Sequence, residues 1–112
     1  MPPPTPPYLG EFEYAVLLAV AQLGDEAYAV PMRAFIEDRT GRAVARGALY
    51  TALERLESKG CLASRMGDPT AERGGRARRY FTVSAVGLRA IRSTHTSLTR
   101  LSEGIEALLE QP

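Results

Sequence analysis

The chain has 112 residues, of which 45% are hydrophobic and 24% charged, with a formal net charge of +1 at pH 7. This length fits a single domain, and no apolar run approaches the roughly 20 residues of a membrane-spanning helix. No basic region followed by an apolar stretch marks a signal peptide, and the single cysteine, Cys61, excludes an intramolecular disulfide, so we expect a cytoplasmic protein.

The charge is unevenly distributed along the chain. Residues 1–41 carry two arginines against six acidic residues, whereas residues 42–80 carry eight arginines and one lysine against four acidic residues. Residues 81–112 carry three charges of each sign. Positive charge concentrated in one stretch is typical of a surface that meets a polyanion, but a solvated basic surface has the same composition. Charge by itself therefore leaves both interpretations open.

The first part of the chain predicts an arm followed by two helices. Residues 1–10 contain five of the eight prolines, which favours an extended or loosely docked arm. A dense apolar pattern then predicts a buried helix from Glu11 to Leu23, ended by Gly24. A second helix is expected to start near Pro31 and to end at Thr40-Gly41. Its inward face is formed by residues at positions i, i+3 and i+4, namely Met32, Phe35 and Ile36.

The middle of the chain predicts a third helix and a hairpin. The helix runs from about Arg46 to Lys59, ends at Gly60, and buries the seam formed by Leu49, Leu53 and Leu56. The pattern then changes to alternation, which predicts strands over Cys61–Met66 and Arg78–Val83. The segment between them is rich in glycine and turn-forming residues. Three helices followed by a two-stranded hairpin is the element order of a winged helix-turn-helix, a mainly α fold with a small β-hairpin.

A long last helix is expected after Ser84, a favourable N-cap residue, and to continue to about Glu110. Its apolar residues recur at spacings of three and four, as in a heptad seam. With no later element to cover it, this seam predicts a homodimer. The domain organisation is then an arm over 1–10, a winged helix over 11–84 and a dimerisation helix over 85–112. The predicted dimerisation residues are Leu88, Ile91, His95, Leu98, Leu101, Ile105 and Leu108.

Two motifs stand out, one in the third helix and one in the hairpin. The motif of the third helix consists of Gly47, Leu49, Tyr50, Leu53, Leu56, Glu57 and Gly60. The motif of the hairpin consists of Gly75, Arg76, Arg78, Arg79, Tyr80 and Phe81, followed by the step Ser84 to Gly87. Together they resemble the recognition helix and the end of the wing in the PadR family of bacterial transcriptional regulators. The resemblance extends from about Gly10 to the end of the chain. It implies a DNA-binding regulator that a small molecule or another signal releases from its operator.

The candidate DNA-binding residues lie in the third helix and in the wing. The start of a recognition helix offers free backbone N–H groups to phosphates and side chains to base edges. Its candidates are Arg46, Gly47, Tyr50, Thr51 and Arg55. The wing arginines Arg73, Arg76 and Arg78 suit a phosphate backbone or a minor groove, and Arg79 is expected to be partly buried. The alternatives are that Tyr50 packs against the hairpin as part of the core and that the wing is a solvated charged hairpin.

Other classes of function are weakly supported by the sequence. A single histidine, His95, and a single cysteine cannot readily complete a nucleophilic triad or a metal site, so no enzyme, metal or cofactor is expected. A metal or redox sensor of similar fold is disfavoured for the same reason, and Cys61 is expected to be buried. The remaining alternative is a winged-helix protein-interaction module without DNA binding. We expect a homodimeric repressor that binds an inverted-repeat operator in duplex DNA.

Overall fold

A computed structural model describes residues 5–68 and 77–111. Its helices are α1 (Glu11–Leu23), α2 (Ala29–Thr40), α3 (Arg46–Ser58), α4 (Ala85–Ser102) and the short α5 (Glu106–Leu109). Strands β1 (Leu62–Met66) and β2 (Arg79–Val83) form a two-stranded antiparallel sheet. The predicted winged helix-turn-helix class is confirmed. None of the helices in this part of the chain is both long and apolar enough to cross a lipid bilayer.

The helix boundaries follow local chemistry closely. The predicted bounds of α1 are confirmed, whereas α2 begins at Ala29, two residues before the expected Pro31. Gly41 ends α2 in the left-handed region, with φ of 70°, and its N–H donates to the Glu37 carbonyl at 2.8 Å. A residue with a side chain is strained there, so glycine is the natural stop.

The core lies where α1, α2 and α3 meet the sheet and the start of α4. Its largest fully buried side chains include Leu17 of α1, Met32 of α2 and the predicted α3 seam of Leu49, Leu53 and Leu56. Phe81 of β2 and Ala90 of α4 close the same cluster. Burial of these apolar side chains supplies the main stabilisation and sets the orientation of α3 relative to the sheet.

The hairpin is tied to the helices by main-chain hydrogen bonds. Its register pairs Leu62 with Val83 and Met66 with Arg79. The Phe81 N–H donates to the Ala27 carbonyl at 2.9 Å, which joins β2 to the entry of α2. Ser84 caps α4 as predicted, since its hydroxyl accepts from the Gly87 N–H at 3.0 Å. The base of the wing is therefore held at both ends by the helical domain.

The last helix is shorter than predicted. The expected continuous helix to Glu110 is wrong, because α4 ends at Ser102 and α5 is a separate turn. Glu103 has extended backbone angles, and Gly104 follows with φ of 92°. The Ser102 hydroxyl donates back to the Leu98 and Thr99 carbonyls, a contact that competes with helix continuation. Ile105 and Leu108 therefore do not continue the seam of α4 as one straight stripe.

Candidate nucleic-acid interface

The first turns of α3 present an uncovered face to solvent. Four predicted residues, Arg46, Gly47, Tyr50 and Thr51, are all exposed, whereas Leu49 is fully buried beneath them. The N-cap residue is Ala45, whose side chain cannot accept a hydrogen bond, so the first N–H groups of α3 have no side-chain cap. This end of α3 thus combines exposed side chains, uncapped N–H groups and the positive end of the helix dipole.

Tyr50 lies at the surface and not in the core, so the alternative core placement is wrong. Its side chain is 36% exposed. The Arg46 guanidinium carbon lies 5.9 Å from the centroid of its ring. Tyr50 also lines a shallow groove on the α2 side, together with Arg33 and Arg46. Arg46 and Tyr50 thus form a cationic and aromatic edge beside Gly47 and Thr51.

A cleft of about 360 Å³ separates this edge from the wing. Tyr28 and Val30 at the start of α2 form one wall, Tyr50 forms another, and the base of β2 contributes Arg78 and Phe81. The cleft is open to solvent and cationic on the wing side. We call it the wing cleft.

The two arginines at the base of β2 have different environments. Arg78 is half-buried, and its guanidinium carbon lies 4.3 Å from the centroid of the Tyr28 ring. Arg79 forms an ion pair with Glu57 of α3, and its Nε donates to the Ser64 hydroxyl at 3.2 Å. Arg79 also lies 5.0 Å from the Phe81 ring centroid, so it joins α3 to the sheet. The expected partial burial of Arg79 is wrong, because the residue is exposed and lines the wing cleft beside Arg78. The other predicted wing contacts, Arg73 and Arg76, lie outside the described residues.

Arg55 is separated from the other candidates on α3. It lies nine residues after Arg46, which is roughly 14 Å along the helix axis. Its positive charge acts on Glu13 of α1, which places it on the α1 side of the helix. The structure therefore does not bring Arg55 together with Arg46 and Tyr50.

Glu13 is the centre of a small polar network beside Arg55. Its carboxylate accepts from Lys59 Nζ and from the Gly10 N–H, each at 2.8 Å, and Lys59 also donates to the Tyr8 carbonyl at 2.9 Å. Burial acts to raise the pKa of Glu13, but these hydrogen bonds and the charges of Lys59 and Arg55 hold it below its ordinary value. The network ties the arm to the C-terminal end of α3.

Three residues that border this region were not predicted from the sequence. Val30 is 71% exposed next to Tyr50, Tyr28 stacks with Arg78, and Glu54 is exposed one helical turn after Tyr50. Helical periodicity identifies which α2 residues face the core, but it does not show which part of α2 the wing approaches. An aromatic residue at the entry to α2 was the available signal for Tyr28.

The C-terminal helices carry an exposed apolar surface. On α4, Leu88, Leu98 and Leu101 are respectively 55%, 49% and 80% exposed, and Leu108 and Leu109 of α5 are also exposed. Ile91 differs, since it is partly buried against the core, and His95 is exposed. An apolar groove of about 650 Å³ runs between residues 5–9 and the α4 side chains that include Leu98 and Leu101. We call these exposed leucines of α4 and α5 the leucine face.

Cys61 and His95 occupy unrelated places. The predicted burial of Cys61 is confirmed, and burial raises the pKa of its thiol. His95 lies at the exposed middle of α4. Within residues 5–68 and 77–111, no three histidine, cysteine, aspartate or glutamate side chains are grouped so that they could hold a metal ion.

Comparison with known proteins identifies the family. The model of the transcriptional regulator PadR-like family matches residues 17–93. A PadR family transcriptional regulator from Eggerthella lenta is 31% identical, with a TM-score of 0.66, and the match covers 87% of this chain and 82% of that one. A PadR-like transcriptional regulator from Bacillus cereus, 18% identical, has a TM-score of 0.72 over 90% of this chain and 93% of that one, which shows the shared fold. No curated protein matches significantly. Because the family model spans most of the chain, including α3, the hairpin base and the start of α4, the protein belongs to the PadR-like family of transcriptional regulators.

Proposed function

We propose that this regulator binds duplex DNA sequence-specifically as a homodimer and represses transcription where its operator overlaps a promoter. The observation that carries the proposal is the exposed start of α3, where Arg46, Gly47, Tyr50 and Thr51 stand beside the cationic wing cleft. A helix of this size fits the major groove with its N-terminal residues on base edges. A protein-interaction module needs neither the uncapped helix start nor the arginines.

The two parts of the interface have different tasks in this proposal. Arg46 and Tyr50 approach base edges, while the uncapped N–H groups of α3 meet a phosphate. Arg78 and the predicted contacts Arg73 and Arg76 meet the sugar–phosphate backbone, which positions the protein and carries little sequence information. Gly47 lets the DNA backbone approach α3 closely, since apart from its chain neighbours and the adjacent backbone of α3 no atom of the described residues lies within 4 Å of where its Cβ would be.

A second copy of the chain covers the leucine face in this proposal. Exposed apolar residues recur along α4 and continue on α5, and such a surface is stabilised by removal from water. The two-fold axis of the dimer then presents two copies of α3 to successive major grooves, about 10 base pairs apart. The operator is therefore expected to be an inverted repeat. A small molecule or another signal that changes the angle between the two α4 helices would release the DNA.

The proposal is tested by mobility shift with DNA from upstream of the protein's own gene, with and without a random-sequence competitor. A shift that survives the competitor supports it, and footprinting should then show two protected half-sites related by inversion. Binding that the competitor removes entirely would contradict sequence specificity. The absence of any shift at low salt would favour the protein-interaction module.

A further inference from the structure

Four side chains form a continuous stack between the start of α2 and the wing. The Arg78 guanidinium lies 4.3 Å from the Tyr28 ring, and Tyr28 meets Tyr80 edge to face with ring centroids 5.5 Å apart. The Arg65 guanidinium lies 4.7 Å from the Tyr80 ring and completes the stack. Guanidinium groups are attracted to aromatic faces, and edge-to-face contacts favour paired aromatic rings. In the order Arg78, Tyr28, Tyr80, Arg65, two adjacent aromatic rings are therefore flanked by a cation at each end.

Tyr28 is held in place by the backbone around it. It is the N-cap residue of α2; its N–H donates to the Glu26 carbonyl at 3.0 Å, and its own carbonyl accepts from the Met32 N–H at 3.2 Å. Strand β2 is fixed to Ala27, the residue before Tyr28, because the Phe81 N–H donates to the Ala27 carbonyl. The backbone of Tyr28 is thus fixed relative to β2.

Tyr80 is confined on the opposite side by Gly67. A Cβ atom at Gly67 would lie 2.6 Å from Tyr80 Cε2, which is closer than real side chains approach. The Gly67 N–H also donates to the Arg78 carbonyl at 2.7 Å, as the last bond of the described hairpin. The absence of a side chain at Gly67 leaves room for the Tyr80 ring to reach Tyr28.

The contact with the Tyr28 ring leaves the donors of the Arg78 guanidinium available. Within the part of the chain that the structure describes, this guanidinium makes no hydrogen bond or ion pair. Its N–H donors lie in the plane of the group. Arg78 also lines the wing cleft opposite Tyr50 of α3. A planar cation that is held against a ring and has free donors suits a phosphate that accepts two hydrogen bonds.

We propose that Tyr28 is a positioning residue, which holds the Arg78 guanidinium in the wing cleft so that it binds one phosphate of the DNA backbone. This inference rests on the proposed DNA binding and names the residue that orients one of its contacts. The energetic benefit is preorganisation, because an arginine that is already ordered loses less side-chain freedom when it binds. Tyr28 itself makes no contact with the phosphate in this arrangement, and its hydroxyl has no part in it.

The test is a double-mutant cycle between Tyr28 and Arg78, measured as binding to a random-sequence duplex at several salt concentrations. Arg78→Ala should weaken binding by about tenfold and lower the salt dependence by about one unit of slope per protomer. Tyr28→Leu should weaken binding by up to the same factor, while the salt dependence falls less because Arg78 keeps its charge, and the double variant should bind no more weakly than Arg78→Ala. Tyr28→Phe, which keeps the ring, should bind as the unchanged protein does. Arg39→Ala is the matched control, since Arg39 lies over the Phe35 ring at 4.6 Å near the end of α2, away from the wing cleft.

Additive losses in the double variant would overturn the inference, as would an equal loss for Tyr28→Phe and Tyr28→Leu. Should Tyr28→Leu fail to fold, Arg78→Lys tests the other partner, because an ammonium keeps the charge but cannot stack through a planar face. It should lose most of the affinity that Arg78→Ala loses, and binding like that of the unchanged protein would refute the positioning role. If the unchanged protein binds neither random nor upstream DNA, the proposed function itself is overturned. That result differs from additive losses of affinity in the double variant, which would overturn only the positioning role of Tyr28.

Discussion

At the scale of the residue, the ion pair between Glu13 and Lys59 makes stability depend on pH. The pKa of Glu13 is lower in the folded chain than in the unfolded chain, where a glutamate titrates near about 4.3. The unfolded state therefore binds the proton more readily, so the stabilisation is complete above about pH 5 and is lost as the pH falls through the lowered pKa.

We expect Glu13→Gln to reduce the free energy of unfolding by about 1–2 kcal/mol at pH 7, since a hydrogen-bonded and mostly buried charge pair is lost. As the pH falls through the lowered pKa of Glu13, the difference between the variant and the unchanged protein should shrink, because both then carry a neutral side chain at position 13. Urea unfolding at a series of pH values measures this. A difference that stays constant as the pH is lowered until Glu13 is protonated would show that the pair contributes through packing and not through charge.

Tyr50 and Arg46 are predicted to read bases rather than phosphates. Tyr50→Phe keeps the ring that lines the wing cleft and removes only the hydroxyl. If that hydroxyl contacts a base edge, the operator complex should lose roughly 1–3 kcal/mol while random DNA binding changes much less. Arg46→Ala should show the same preference for loss on the operator. Equal losses on operator and scrambled duplexes would instead assign both residues to the backbone.

At the scale of the element, two glycines in helices should respond oppositely to the same substitution. Gly47 in α3 has open space around the position of a Cβ, so Gly47→Ala should stabilise the free protein by about 0.4–1 kcal/mol. The same methyl group should weaken DNA binding, because in the proposed complex the DNA backbone occupies that space.

Gly87 in α4 is packed directly against the Cys61 carbonyl, and Gly87→Ala should cost about 1–3 kcal/mol of stability. Thermal unfolding and DNA titration of both variants check this, and undiminished DNA affinity in Gly47→Ala would argue against a close approach at α3.

At the scale of the whole molecule, the leucine face should determine the oligomeric state. Replacement of Leu98 and Leu101 by aspartate places charges where the proposed second copy packs, and the dimer dissociation constant should rise on the order of a hundredfold. Thr96→Asp is the control, because Thr96 lies in a different groove of α4 with Arg92 and Arg100. Sedimentation at micromolar concentration should show a dimer for the unchanged protein and the control. A dimer that persists in the Leu98 and Leu101 variant would place the interface elsewhere.

Local chemistry in the sequence was sufficient to predict most of the elements. The apolar spacing of α1 and α3, the serine cap of α4 and the alternation in the hairpin each depend on contacts between residues near in sequence, which a periodic pattern reports directly. The break after Ser102 was missed because the heptad spacing continues through Glu103 and Gly104, while backbone angles and not side-chain hydrophobicity end the helix there.

The sequence by itself determined which residues α3 exposes, since its buried seam leaves Arg46, Tyr50 and Thr51 on the remaining surface. Only the tertiary structure decided how these residues are grouped with others. Tyr28 and Arg78 are 50 residues apart in the chain, and they meet because β2 is bonded to the entry of α2. Arg55 is kept apart from the cleft in the same way, on the side of α3 that faces Glu13 of α1, whereas Arg79 lines the cleft and is paired with Glu57 of α3. Periodicity specifies the face of an element that is buried, but the partners of the exposed face depend on long-range packing.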